Sequence, residues 1–420
     1  MANQLIVVGG GAAGMMAALF AARAGAQVRL LERNEKLGKK VYITGKGRCN
    51  VTNAADQEEF MRRIFRNPRF MYAPFAALNN TETMQLFESL GVPLKVERGE
   101  RVFPVSDHSN DIIQALRREL ERLHVEICYN TRVSRLIVND GVCKGVELES
   151  GESLHSDAVI LATGGMSYSS TGSTGDGYRF AEECGHTIQT PLPSLVPVET
   201  RESWPASLMG LTLKNVRLTA WVSASNGKKE KKIYSEMGEM LFTHFGISGP
   251  LVLTLSGLLP EDLSAVRLSI DLKPALDEST LDARLVRDFR EMSRKQISAA
   301  MDGLVPHALG QQLLILAGIS AASPIHSITV EQRHKLVQIL KNIPLTPKRF
   351  RGFEEAIVTR GGISVKEIQP STMESKRVSG LYFAGEVIDV DATTGGFNLQ
   401  IAFSTGALAG TSAAAREVSA

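Results

Sequence analysis

Gln4-Leu-Ile-Val-Val-Gly-Gly-Gly-Ala-Ala-Gly14 runs from a short apolar stretch straight into a cluster of glycines. A segment of small residues, 12–24, follows and is closed by Gly25. Residues 27–32, Gln-Val-Arg-Leu-Leu-Glu, are then apolar again. Two short continuous apolar strands flanking a helix are the pattern of a parallel sheet covered on both faces. Gly9, Gly11 and Gly14 stand in the spacing G-x-G-x-x-G. Alone that spacing is weak, but between a strand and a helix it is a dinucleotide fingerprint. The first glycine permits the tight turn, the second lets the backbone approach a diphosphate, and the third lets helix and strand pack closely. Ala12 and Ala13 open the helix, where free N–H groups and the positive dipole end meet the phosphates. Glu32 ends the second strand, eighteen residues after Gly14. A carboxylate there accepts hydrogen bonds from an adenosine ribose and repels a 2′-phosphate.

Composition narrows the class further. A chain of 420 residues predicts two to three domains of roughly 100–200 residues each. Its net charge of +2 is close to neutral, so bulk charge does not mark a nucleic-acid binder. Cys49, Cys128, Cys143 and Cys184 are scattered with no C-x-x-C pair, which argues against a zinc site, a dithiol redox motif or a disulfide framework. The N-terminal apolar run lacks the flanks of a signal peptide. No run approaches 18 uninterrupted apolar residues. A cytoplasmic protein without membrane segments or metal is expected.

Farther along, residues 57–66, 81–90 and 109–123 are predicted helical, the last capped by Asn110 or Asp111. Strands are expected at 125–129, 133–139, 145–149 and 158–163, a meander returning to the nucleotide fold. Pro191, Pro193 and Pro197 mark a change. Strand-like patterns follow at 217–222 and 252–255, a helical stretch rich in Lys, Arg and Gln at 279–344, and extended chain at 356–369. The expected class is α/β: a discontinuous nucleotide-binding domain (1–190 and 371–420), a β-rich insertion (191–278, returning at 346–370) and a helical subdomain (279–345).

Two later segments select FAD over NAD. Asp157-Ala-Val-Ile-Leu-Ala-Thr-Gly-Gly165 resembles the second FAD-contact motif of flavoprotein oxidoreductases, placing Ala162, Thr163 and Gly164 at the cofactor. Gly380-Leu-Tyr-Phe-Ala-Gly-Glu386 and Thr394-Gly-Gly-Phe-Asn-Leu-Gln400 resemble the strand and helix start that cover the ribityl chain and flavin ring. They assign Gly385, Glu386, Asp389, Gly396, Asn398, Leu399 and Gln400 to the cofactor. Arg33, Lys40, Gly47, Arg48 and Val133 join the same set. A helix beginning near Asn398 directs N–H groups at the pyrimidine end of a reduced flavin. With only one G-x-G-x-x-G, NAD(P)H is expected as a transient electron donor.

The segments Lys39-Lys-Val-Tyr-Ile-Thr-Gly-Lys-Gly-Arg-Cys-Asn-Val-Thr-Asn53, Thr243-His-Phe-Gly-Ile-Ser-Gly-Pro250, Val358-Thr-Arg-Gly-Gly-Ile363 and Thr393-Thr-Gly-Gly-Phe-Asn-Leu-Gln400 resemble the YhiN/BaiN-type (HI0933-like) flavoproteins. The resemblance covers essentially the whole chain. It implies a discontinuous FAD domain with an inserted β-barrel-like domain and a small helical domain. It also implies one of two reductions: a uridine of large-subunit ribosomal RNA to dihydrouridine, or an unsaturated oxo-steroid of bile-acid metabolism. Each adds hydride to a carbon–carbon double bond conjugated with a carbonyl, followed by protonation of the neighbouring carbon. The ribosomal uridine is the preferred substrate. The alternatives are the small enone, a binding protein that uses FAD structurally, and an NAD-dependent dehydrogenase.

Cys49 is the favoured proton donor, its thiol made more acidic by Lys46 and Arg48. The competing expectation is a small buried cysteine, with those cations bound to FAD instead. His244 is the second candidate, or a residue that holds a turn. Arg360 either contacts substrate or flavin or is solvated. Three basic clusters, Arg62/Arg63/Arg66/Arg69, Lys228/Lys229/Lys231/Lys232 and Lys341/Lys348/Arg349/Arg351, are solvated faces or parts of a surface that tracks RNA phosphates. Phe350 and Phe353 stack a base or belong to the core.

Overall fold

The computed structural model describes residues 2–223 and 230–417; Lys228 and Lys229 lie outside them. The chain forms two units, one from Met1–Ser194 with Gly352–Ala420 and the other from Leu195–Arg351.

The first unit is built on a parallel sheet. Strand β1 (Gln4–Val8) leads through the glycine turn into helix α1 (Ala12–Arg23) and then β2 (Gln27–Leu31). β3 (Glu126–Cys128), β4 (Ala158–Leu161) and β5 (Leu381–Phe383) complete the order β5-β4-β1-β2-β3, with every neighbour parallel. β4 and β5 are buried at every position and β1 at all but its first, as strands covered on both faces require. The antiparallel meander Val133–Asn139, Val142–Leu148 and Ser153–His155 leads into β4.

Helix α2 (Phe397–Ala414) closes this unit against α1, and both helices are made of small residues. A methyl group on Gly406 would overlap the carbonyl oxygen of Ala13, and one on Gly410 would overlap that of Ala17. The helices therefore meet backbone to backbone, at a separation that a larger side chain would force open.

The second unit carries a seven-stranded sheet. Its long hairpin pairs Thr212–Val222 with Lys231–Thr243. Helices Glu278–Glu291, Ile297–Asp302, His307–Ala317 and Val330–Lys341 share one apolar core with that sheet. The strand Val358–Ile363 pairs with Ile188–Ser194 inside the first unit, so the chain returns from the insertion at Gly352.

Two local expectations are corrected. Residues 252–255 are not a strand: they lie in helix Pro250–Leu258, where Leu251, Val252 and Leu255 share the buried face and Pro250 sits in the first turn. Helix Ser109–Arg122 is capped by neither Asn110 nor Asp111. Its N-cap is His108, with no side-chain cap bond, and the Ser109 hydroxyl donates instead to the Tyr42 carbonyl at 2.8 Å.

The α1–α2 contact yields a first prediction. Gly406→Val should destabilise the protein by about 3 kcal/mol or more through overpacking against backbone, read as a lowered thermal midpoint. Ala409→Val, buried on the same helix, serves as the volume control.

Candidate functional site

The start of α1 is enclosed on several sides and open on one. Gly9 has φ +107, and a Cβ there would lie 2.5 Å from the Ala162 carbonyl oxygen. One on Gly14 would overlap the Gly9 carbonyl, and one on Gly385 would lie 2.7 Å from the Ala13 Cβ. At Gly11 a Cβ would meet nothing within 4 Å. The helix has no side-chain cap and no acidic residue in its first turn, so its N-terminal dipole is left for an anion.

Glu32 is 6% exposed. Its Oε2 accepts from the Gly10 N–H at 2.7 Å, and its Oε1 accepts from the Asn34 N–H at 2.8 Å. The carboxylate is thus fixed beside the glycine turn without a cationic partner in that set of contacts. Thr163, at the end of β4, has a buried Oγ1 with no hydrogen-bond partner among the described residues. The open Gly11, the bare helix start and the held carboxylate fit an adenine dinucleotide diphosphate, whereas the Thr163 hydroxyl packs against Gly177.

Around this seat the assigned residues divide. Ala12, Ala13 and Ala162 wall it with small side chains, and Val133 is buried at the start of its strand. Lys40 and Glu386 are drawn together: Lys40 Nζ lies 2.6 Å from Glu386 Oε2 and donates to Ser167 Oγ at 2.7 Å. Glu386 Oε1 accepts from Ser167 Oγ and from the Thr359 N–H, both at 2.8 Å. Arg33 turns to the 172–176 loop, donating to Thr174 Oγ1 at 2.7 Å and to Asp176 at 2.9 Å. Gly164, with φ +73, faces Ser173.

The glycine-rich turn before α2 and the segment around Cys49 fold onto each other. Gly396 caps α2 at φ +99, and Asn53 Nδ2 donates to the Gly395 carbonyl at 2.9 Å. Gln400 is fully buried, accepting from Thr52 Oγ1 at 2.7 Å and donating to Thr83 Oγ1 at 2.9 Å and the Leu78 carbonyl at 3.0 Å. Its side chain is therefore a strut of the interior, not a cofactor ligand. Asn398 likewise spends its side-chain amide on residues 392 and 393, at 2.9–3.2 Å, which leaves the backbone N–H groups of the helix start as the groups expected at the cofactor. Leu399 remains half-buried on the same turn.

Three further assignments are corrected by their surroundings. Arg48 pairs with Glu97 at 2.5 Å and Asp107 at 2.6 Å and stacks on Phe103, so its guanidinium is directed to carboxylates rather than to phosphates. It does not acidify Cys49. That residue has no solvent exposure, and burial pushes its thiol up to about 12. Lys46 and Gly47 lie in the adjoining turn, with Lys46 exposed. Arg360 is not solvated: it is 4% exposed in strand Val358–Ile363, and its charge bears on the buried Asp391. His244 is exposed in the second unit, in the turn between strands Lys231–Thr243 and Gly246–Ser248.

Asp391 and Ser194 were not singled out from sequence, whereas Arg66 and Asp389 were. The Asp391 carboxylate accepts from Arg66 at 2.8 Å and from Ser194 Oγ at 2.9 Å. Asp389 accepts from Asn67 Nδ2 at 3.1 Å, and burial raises its pKa as it does that of Asp391. The basic clusters are largely matched by acids: Arg62 and Arg63 by Glu58 and Glu59, Arg66 by Asp391, and Lys341 by Asp271. Phe350 packs against the second unit's core.

Comparison with known proteins agrees with this geometry. The family described as HI0933-like protein Rossmann domain matches residues 3–412. The chain is 34% identical to the 3-dehydro-bile acid delta(4,6)-reductase of Clostridium scindens, over 99% of this chain and 100% of that one. It is 30% identical to the ribosomal RNA dihydrouridine synthase of Haemophilus influenzae, over 96% of each. Among solved structures it resembles the 3-ketosteroid delta1-dehydrogenase of Sterolibacterium denitrificans in fold, with a TM-score of 0.52 and 15% identity over 98% of this chain and 100% of that one. The chain belongs to the HI0933-like family and is an FAD-dependent oxidoreductase built on a Rossmann-type FAD-binding domain.

Proposed function

We propose that the protein reduces a carbon–carbon double bond conjugated with a carbonyl, and that its substrate is a uridine of large-subunit ribosomal RNA. One observation carries the reaction class. The chain is related end to end to two reductases whose named substrates differ in size and polarity but share that functional group. Bound FAD supplies the hydride. Gly11 and the start of α1 hold its diphosphate, and Glu32 accepts from its ribose. The Gly396-capped start of α2, with no acidic residue in its first turn, directs its positive end toward the flavin. NAD(P)H serves as the passing electron donor.

The RNA reading draws on charge. Leu195–Arg351 contains ten lysines and ten arginines against fifteen acidic residues, whereas the whole chain carries only +2. The insertion is thus the basic part of the molecule, suited to a polyanion. A second reading, a small enone, is favoured by the higher identity to the bile-acid enzyme and by the acids that neutralise most basic clusters.

Deleting the gene and measuring dihydrouridine in large-subunit ribosomal RNA by mass spectrometry separates the two. Loss of one dihydrouridine is expected; an unchanged level, with reduced protein oxidised by steroid enones, selects the second reading.

Two substitutions test the site. Gly11→Ala should leave stability within about 0.5 kcal/mol, because the space is open and the backbone φ of −81° is ordinary, yet weaken FAD binding about tenfold or more. Equal FAD retention would remove the diphosphate from that position. Cys49→Ala should cost about 1 kcal/mol of stability from lost packing. Reoxidation of reduced protein by substrate should stay within about twofold, since a buried thiol held near 12 is a poor acid at neutral pH. A hundredfold slowing would restore Cys49 as the proton donor.

A further inference from the structure

His186 is 3% exposed, whereas the other seven histidines are exposed, so among histidines only here does protonation put a charge into the interior. It stands just before strand Ile188–Ser194, and its ring meets the Phe383 ring of β5 edge-on at 5.0 Å. Its Nε2 lies 2.8 Å from Ser375 Oγ. That oxygen already accepts from the Arg377 N–H at 3.0 Å and from the Val378 N–H at 2.9 Å. A hydroxyl has two lone pairs and one proton. With both pairs engaged, the Ser375 proton goes to Nε2, which is therefore the acceptor. The ring proton sits on Nδ1, 3.4 Å from Glu367 Oε2, a contact that does not complete a hydrogen bond.

Glu367 closes the group from the other side. It accepts from the Thr187 N–H at 2.7 Å, from Thr187 Oγ1 at 3.0 Å and from Arg377 Nη2. The Ser375 N–H donates to the Leu381 carbonyl at 2.7 Å. One histidine thus joins three pieces of chain: its own segment, residues 364–378, and β5. Two residues past Phe383 stands Gly385, where a Cβ would lie 2.7 Å from that of Ala13 at the start of α1. The ring therefore backs the wall of the nucleotide cradle.

Protonation breaks this arrangement. An imidazolium donates at both nitrogens, and at Nε2 it meets an oxygen with no lone pair left. The charged groups that bear on the ring are Glu367, which favours the cation, and Arg377, which opposes it; Thr187 and Phe383 bring no charge. Burial is the largest effect and holds the ring below the usual histidine range. A depressed native value means stability that is whole above the ordinary pKa of about 6.5 and is lost as pH falls below it. Glu367 is held at about 2, chiefly by Arg377, and stays ionised throughout that window.

We propose that His186 is an acid-sensitive latch of the cofactor seat: neutral, it fastens residues 364–378 to β5 behind Gly385; protonated, it lets that segment go and FAD with it. This depends on the FAD fold and on neither substrate reading.

The test uses the FAD-loaded full chain, diluted into buffers between about pH 7.5 and 5.0 at constant ionic strength, with free-flavin fluorescence as the readout. Release from the wild type should quicken about tenfold across that range. His186→Gln keeps an amide oxygen for the Ser375 hydroxyl but takes up no proton, so its release should change less than about twofold. Other titrating groups are common to both proteins and cancel in the comparison. Glu367→Gln removes the negative charge facing the ring, so protonation becomes harder and the pH of half-maximal release should fall. Thermal midpoints at the upper pH report folding, and if His186→Gln does not fold, Glu367→Gln decides. A flat wild-type profile, the same acid step in His186→Gln, or an unmoved pH of half-maximal release in Glu367→Gln overturns the proposal.

Discussion

The first unit depends on a single steric constraint: the N-terminus of α1 has to be packed to backbone contact on several sides and left bare on one. Ala162 at the end of β4, Gly385 after β5, and Gly406 on α2 all press against the turn or the first residues of that helix. Such contacts tolerate no side chain, and together they fix the direction in which the free N–H groups point. Electrostatic preorganisation then costs little, because the dipole is already aimed when an anion arrives.

Much of this was legible. The glycine turn, β1, β2 and Glu32 were readable because period, turn chemistry and helix electrostatics act over a few residues. The two later motifs were readable because small residues in a strand-to-turn context have few other uses. What failed depended on distant partners. The side-chain partners of Gln400 and Asn398 were not legible: Thr52, Thr83 and the 392–393 turn hold them. Cys49 looked activated because Lys46 and Arg48 flank it in sequence. In the fold Arg48 faces Glu97 and Asp107, residues far along the chain, and the thiol is enclosed by apolar surroundings. The strand expected at 252–255 shows the limit of short apolar runs, where Gly249-Pro250 decided for a helix. Gly406 and Gly410, four residues apart, carried a readable sign of helix contact that the general smallness of α2 obscured.

Charge behaves similarly. A cluster of arginines in sequence states only that cations are present; their acidic partners decide what is offered to solvent. Arg62 and Arg63 are answered by glutamates on the same helix. Asp391 gathers Arg66 and Ser194 into one buried knot just where the chain leaves the first unit. Glu199 instead is shared by Arg349 and Arg351. Counting charges along the chain could not separate these cases, because each depends on which carboxylate the fold brings alongside.

The unit that holds the glycine turn is assembled from both ends of the polypeptide. β1 and α1 leave the ribosome first, but β5 and α2 emerge only after the insertion has been synthesised. Until then the face of α1 that receives α2 has no covering, and the wall at Gly385 does not exist. The inserted unit, whose residues are contiguous, has the opportunity to fold during synthesis, whereas cofactor capture waits for the later-made residues 381–414. A nascent chain stalled before residue 381 would thus carry a finished insertion and an unfinished nucleotide cradle.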